Sequence, residues 1–147
     1  MRGKFAVKQI SVFLENRRGR LADVTRALAE AEVNIRALFL ADSSEFGILR
    51  LVVNNPERAR AALSAEGFAA SESDVFAVEV EDKPGGFYRV VKTLSENGID
   101  VEYTYAFAGA SNRAILFFKV PDSAFEKALK LLVENGIKLV EAVEFYS

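Results

Sequence analysis

The chain has 147 residues, a formal net charge of −2, and neither cysteine, histidine nor tryptophan. Disulfide frameworks, thiolate nucleophiles, Cys/His zinc sites and every triad or dyad built on imidazole are therefore excluded. The mixed charges, 19 Lys and Arg against 21 Asp and Glu, lack the basic footprint of a phosphate-backbone binder. Half of the residues are hydrophobic, enough for a substantial core. The length suits one ordinary domain or two small ones of about 70 residues, and a module that small is marginal alone and is expected to pack on another. Residues 1–8 carry no apolar signal-peptide run and no stretch of 18 apolar residues occurs, so the expectation is a cytoplasmic protein.

In chain order, Ile10, Val12 and Leu14 alternate with Gln9, Ser11 and Phe13, the period of a strand with one face on a core. A charged turn containing Gly19 follows. Leu21, Val24, Leu28 and Ala31 then form a helical stripe that stops near Glu32. Extended runs at 35–41 and 47–53 flank the turn DSSEF, a hairpin length. Pro56 lies at the start of a second helix with the stripe Ala59, Ala62, Leu63, and a strand at about 68–73 closes the set.

The same order then repeats. Phe76, Val78 and Val80 alternate with Ala77, Glu79 and Glu81; a turn with Gly85 leads into the stripe Phe87, Val90, Val91, Leu94; Asn97-Gly98 ends that helix. Strands at 101–107 and 113–120 flank the turn AGASN. Pro121 precedes a helix with the stripe Phe125, Ala128, Leu129, Leu132, and a last strand is expected over 138–145. A shift of 66 aligns residues 15–35 with 81–101 without a gap, pairing Glu15 with Glu81, Gly19 with Gly85, Val24 with Val90, Leu28 with Leu94 and Glu30 with Glu96. The fold class is α+β: two ferredoxin-like βαββαβ modules, 1–73 and 74–147, each an antiparallel sheet with both helices on one face. No flexible linker separates them.

A βαββαβ order hosts many functions, so the turns matter more. Residues 14–21 (LENRRGRL) and 80–87 (VEDKPGGF) resemble the D-x-P-G-x-L signature that opens an ACT domain. Asn34-Ile35 and Asp100-Val101 are similar to that family's N-I at the start of the second strand. The resemblance covers essentially the whole chain and looks like the stand-alone tandem ACT proteins. It implies a non-catalytic protein, with no cofactor and no metal, regulated by a free amino acid bound where ACT modules meet. The turn and helix start of one module would face the second-strand start of a neighbour. Carried over, the candidate contacts are Asn16, Arg18, Gly19, Arg20 and Leu21 with Asn34 and Ile35, and Asp82, Pro84, Gly85, Gly86 and Phe87 with Asp100 and Val101. Arg18 departs from the pattern, standing where the family has proline.

The chemistry is coherent without the family. A glycine turn entering a helix presents unpaired N–H groups and partial positive charge, a receptor for a carboxylate. Asn34 or Asp100 would accept hydrogen bonds from an α-ammonium. Each residue also has a structural role open to it: the glycines as tight turns, Arg17, Arg18 and Arg20 as solvated surface, Asn34 and Asp100 as strand-entry residues. Tyr103, Tyr105 and Phe107 lie at period two, as sheet packing or as a ligand wall that would favour an aromatic or branched-chain amino acid. Glu141 and Glu144 read as solvated. A homodimer is expected from exposed edges, with a partner enzyme as the other way of covering them. An RNA-recognition reading lacks the stacking strand, since ILRLVV and ILFFKV carry no such motif. An acylphosphatase-like reading lacks a general base. A protein-interaction module without a small ligand stays as the alternative.

Overall fold

The computed structural model describes residues 1–15, 17–42, 45–108 and 111–147. It divides into two compact units, one formed by Lys8–Ser73 with Phe145–Ser147 and the other by Met1–Val7 with Asp74–Glu144. Both are mixed α/β modules with an antiparallel sheet and helices packed on one face.

In the first-repeat unit the elements are β1 (Val7–Glu15), α2 (Arg20–Glu30), β2 (Ile35–Asp42), β3 (Phe46–Val53), α3 (Pro56–Ala65) and the opening residues of β4 (Ala70–Glu81). The order β2-β3-β1 is antiparallel, with Val12 opposite Leu49 and Leu14 opposite Gly47, and β4 lies beside β1. Alternation sends Ile10, Val12, Leu14, Leu49, Leu51 and Val53 into one core with Val24, Leu28, Ala59 and Leu63. The opposite sheet face is not wholly solvated. Gln9 is fully buried and donates to Ser73 Oγ at 3.3 Å, while Arg50 donates to Ser11 Oγ at 3.1 Å. Asn55 caps α3 by accepting the Arg58 N–H at 3.1 Å, and Pro56 supplies the pre-set first turn. The C-terminal residues join this unit through Lys8 N–H to Tyr146 Oη (2.9 Å) and Arg36 to the Ser147 carbonyl (3.1 Å).

The second-repeat unit begins with the short helix α1 (Arg2–Phe5) and continues through β4, α4 (Gly86–Glu96), β5 (Tyr103–Ala108), β6 (Arg113–Lys119), a 3₁₀ turn (Asp122–Ala124), α5 (Phe125–Glu134) and β7 (Lys138–Val140). Its sheet runs β7-β4-β6-β5. Phe76 stacks on Phe118 at 5.6 Å and meets Phe125 edge-on at 5.6 Å, geometries the ring quadrupole favours. Val90, Leu94, Leu129 and Leu132 close that core from the helices. Helix α1 is held by Arg2, which pairs with Asp74 and Asp122 and lies 4.3 Å from the Phe125 ring centre.

Several expectations are corrected. The last strand stops at Val140, and Ala142–Phe145 form a 3₁₀ turn, with Glu144 N–H bonded to Glu141 O at 3.1 Å. Ala142 and Phe145 are both buried, which a three-residue period allows and strand alternation does not. Leu21 and Phe87 fit the core stripes by spacing but are 42% and 44% exposed, each on the first turn of its helix, and Phe87 covers Phe118 with one face only. Ala27 is buried instead. The strand expected from Val101 starts at Tyr103. Glu141, read as solvated, is half-buried and pairs with Lys4 at 3.1 Å. The turns DSSEF and AGASN lie partly outside the described residues.

Candidate functional site

The two glycine turns are the same backbone object. Gly19 has φ 89°, ψ −10° and Gly85 φ 88°, ψ −11°, and each is the residue before an 11-residue helix with no side-chain cap. A β-carbon at either would meet nothing within 4 Å, so glycine is required by its left-handed conformation and not by space. Arg18 in place of Pro84 leaves this path unchanged. At Gly86 the constraint is space: a β-carbon would lie 2.5 Å from the Glu81 carbonyl oxygen. The turn is drawn onto the end of β4 by Lys83 N–H to Glu81 O (2.9 Å), Gly86 N–H to Lys83 O (3.1 Å) and Asp82 N–H to Asn112 O (2.7 Å).

Two of the clefts beside this second turn join it to helix α4. A 290 Å³ cleft on the hairpin side joins Asp82, Lys83 and Phe87 to Ala106, Phe107, Ala108 and Leu116. Its walls are apolar and its rim is charged. Phe87 lies parallel to the core residue Phe118 at 6.0 Å, whereas the Phe107 ring sits 6.2 Å from Phe117 on the opposite face of the sheet. A 370 Å³ cleft on the helix side is lined by Pro84, Gly85, Gly86, Arg89 and Ile137 with Glu79, Glu81, Lys83, Arg113 and Lys138. There Lys138 (3.1 Å) and Arg113 (2.9 Å) both bond Glu79 Oε2 and hold its carboxyl below the ordinary carboxylate range, against the opposing effect of burial. Lys83, paired at 2.9 Å, lowers Glu81 likewise.

Of the candidate residues, the structure thus gathers Asp82, Pro84, Gly85, Gly86 and Phe87 around two clefts. It does not bring Asp100 and Val101 to them. They follow α4, whose 11 residues span about 16 Å, so turn and second-strand start lie at opposite ends of one helix. The same separation by α2 holds for Arg18, Gly19, Arg20 and Leu21 against Asn34 and Ile35. Asn34 is tied to Asn54 twice, its N–H donating to Asn54 Oδ1 (2.8 Å) and its carbonyl accepting the Asn54 N–H (3.0 Å). Ile35 and Val101 pack half-buried against their cores, whereas Asp100 is exposed. Asn16 lies outside the described residues. Arg20, read as a surface or carboxylate-binding residue, is turned inward: its guanidinium sits 4.3 Å from the Phe68 ring centre and 3.3 Å from Asp23. Tyr105 and Phe107 pack against Phe117 at 5.2 and 6.2 Å on the sheet face away from Phe87, so both are sheet packing.

Sequence reasoning missed Lys83, Arg89, Arg113 and Lys138. Arg89 had a local signal, four residues beyond Gly85 and one helical turn on. Arg113 and Lys138 enter through the strand ladder, opposite Glu81 and Glu79. Also unanticipated is an open 910 Å³ cleft in the first-repeat unit, between the start of α3 and β4, with Asn55, Arg60, Phe68, Glu72 and Tyr146 on its walls.

Residues 5–146 match the family described as an ACT domain pair. Among solved structures, the chain is similar to protein BT0572 from Bacteroides thetaiotaomicron, with 35% identity, a TM-score of 0.92 and 98% of each chain covered. It shares its fold with the ligand-free regulatory subunit of aspartate kinase from Thermus thermophilus, at 19% identity and TM-score 0.64, covering 86% of this chain and 90% of that one. The corresponding subunit from Thermus flavus gives 19%, 0.62, 88% and 92%. No curated protein sequence matches the chain.

Proposed function

The chain belongs to the ACT domain pair family, and from that premise we propose that it is a non-catalytic regulatory protein that binds a free amino acid and signals through association or a partner. The observation that carries this reading is the hairpin-side cleft at the second turn. An uncapped helix start offers N–H groups and partial positive charge to an α-carboxylate, Asp82 offers a carboxylate to the ammonium, and Phe87, Ala106 and Leu116 offer an apolar wall to a side chain. An apolar amino acid, aromatic or branched-chain, suits that wall.

The family's clamp also needs a second-strand start, which one module cannot bring to its own turn. A second copy of the chain, presenting Asp100 or Asn34, would supply it, and a homodimer is the assembly this favours. The fold shared with aspartate kinase regulatory subunits supports an enzyme as the regulated partner. No helix among the described residues is long and apolar enough to cross a membrane, and the working compartment proposed is the cytoplasm. The exposed Phe13 (56%) and Leu38 (54%) support the second reading, a protein-interaction module needing no small ligand.

Isothermal titration with each free amino acid tests the first reading. Saturable heat with a flat baseline afterwards is expected for at least one of them, and it should be weakened in Phe87→Ala. Heat that continues after saturation would signify turnover and contradict a non-catalytic role; no heat with any amino acid would contradict the ligand.

A further inference from the structure

The two modules are built alike, so a place where they differ in charge can be compared atom for atom. Gly19 and Gly85 share their dihedral angles and precede helices of equal length, which makes Arg20 the counterpart of Gly86 and Asp23 that of Arg89. Gly67 (φ 80°) and Gly136 (φ 72°) end the second helices in the same way, followed by Phe68 and Ile137, whose N–H groups bond Leu63 O and Leu132 O at 3.0 and 2.9 Å. The helix-side cleft of the second module therefore has a matching position in the first.

In the first module that position is filled from within. The Arg20 side chain is only 19% exposed; it stacks on Phe68, pairs with Asp23, and its Nε is buried without a hydrogen-bond partner. In the second module the occupant is absent, since Gly86 has no side chain, and the holder is reversed in sign, since Arg89 stands where Asp23 stood. Arg89 spends one donor on the Asn135 carbonyl and keeps the rest of its fork. The surroundings change in the same sense. Glu79, Arg113 and Lys138 replace Phe13, Phe46 and Ala69, as the ladder shows: Glu81 faces Arg113 where Glu15 faces Phe46, and Glu79 faces Lys138 where Phe13 bonds Ala69. Four cations against two carboxylates line the cleft, an excess of two positive charges: Glu81 holds Lys83, Glu79 holds Arg113 and Lys138 on the sheet face away from α4, and Arg89 stands on α4 itself.

We propose that the second module binds a small divalent oxyanion in the helix-side cleft, the place that Arg20 closes in the first module. Its direct binding group is Arg89, whose guanidinium takes two oxygens of one carboxylate or phosphate group, and Lys83, Arg113 and Lys138 supply the positive surround. The site does not require an amino acid in the hairpin-side cleft, which lies across the turn.

Titrating ¹⁵N-labelled full-length protein with succinate and, separately, with inorganic phosphate at constant ionic strength tests this by amide shifts. With at least one of them, saturable shifts are expected at Gly85–Arg89 and Gly136–Lys138, without matching shifts at Gly19–Asp23 and Gly67–Ala69. The anion that saturates identifies the source of the oxygens. Shifts centred on Phe107 and Ala108 instead would put the anion in the other cleft and overturn the site. Arg89→Asp should weaken binding at least tenfold, and Arg113→Ala, away from the helix, gives a second reading if that variant is unfolded by its own spectrum. No saturation with either anion, equal shifts in both modules, or unaltered binding in a folded variant would overturn the site.

Discussion

Gly86→Ala is the sharpest perturbation of the second turn. Its β-carbon would sit 2.5 Å from the Glu81 oxygen and 3.6 Å from Val80 Cγ2. A carbon–oxygen contact ordinarily stands near 3.3–3.6 Å, so the turn or the strand end must give by roughly 1 Å. Neither is free to do so, because the same carbonyl accepts the Lys83 N–H at 2.9 Å and Gly86 N–H bonds Lys83 O at 3.1 Å. Overpacking of this kind costs about 1–3 kcal/mol, while alanine recovers up to about 1 kcal/mol of helix propensity. The net loss should be about 1–2 kcal/mol, or about 2–8 °C in Tm for a chain of this size. Circular dichroism melts and urea titrations would measure it. Gly85→Ala is the companion, costing about 1–2 kcal/mol through its left-handed φ alone, since the space around it is open. A Gly86→Ala protein as stable as the parent would refute the steric reasoning.

Three further outcomes follow from the packing and charge. Arg20→Ala removes a guanidinium stacked on Phe68 and paired with Asp23, and should cost about 1–2 kcal/mol in a denaturant titration, more than a surface arginine would. Glu79 has a carboxyl held below the ordinary range by Lys138 and Arg113, so its contribution is present above the unfolded pKa and is lost as pH falls through the folded one. Glu79→Gln should therefore be less stable near pH 7 by up to about 1 kcal/mol, with the gap closing on acidification below about pH 4; a gap that widened in acid would contradict the pairing. Phe125→Ala, at a side chain 1% exposed between Phe76 and Arg2, should cost about 3–5 kcal/mol by calorimetry or chemical denaturation.

Much of the architecture was legible because its signals are local. Glycine marked both left-handed turns, alternation marked the strands, and Ala59, Leu63, Phe125 and Leu132 fell on helical stripes that are buried. What escaped depended on period or on partners distant in sequence. Ala142 and Phe145 read as strand because a short segment does not distinguish alternation from a three-residue turn. Leu21 and Phe87 fit the stripe by spacing, yet a first-turn residue lies at the open end of its helix and is covered on one side only. The Arg113–Glu79–Lys138 cluster joins residues 34 and 59 positions apart, and only the ladder register reveals it. Asp100 and Gly85 read as two halves of one clamp, but α4 holds them apart within a module. Arg20 looked like a solvated arginine because nothing local announces Phe68 as its platform.

The most direct test of amino-acid sensing is a thermal-shift screen of the twenty amino acids against the intact chain. A ligand that binds only the folded state at a hundred times its Kd adds about 2.7 kcal/mol, which for this length raises the midpoint by roughly 5–10 °C. At least one amino acid should produce such a rise at millimolar concentration, and Gly85→Val should abolish it while keeping the cooperative melt. A flat response to all twenty would contradict the sensing role.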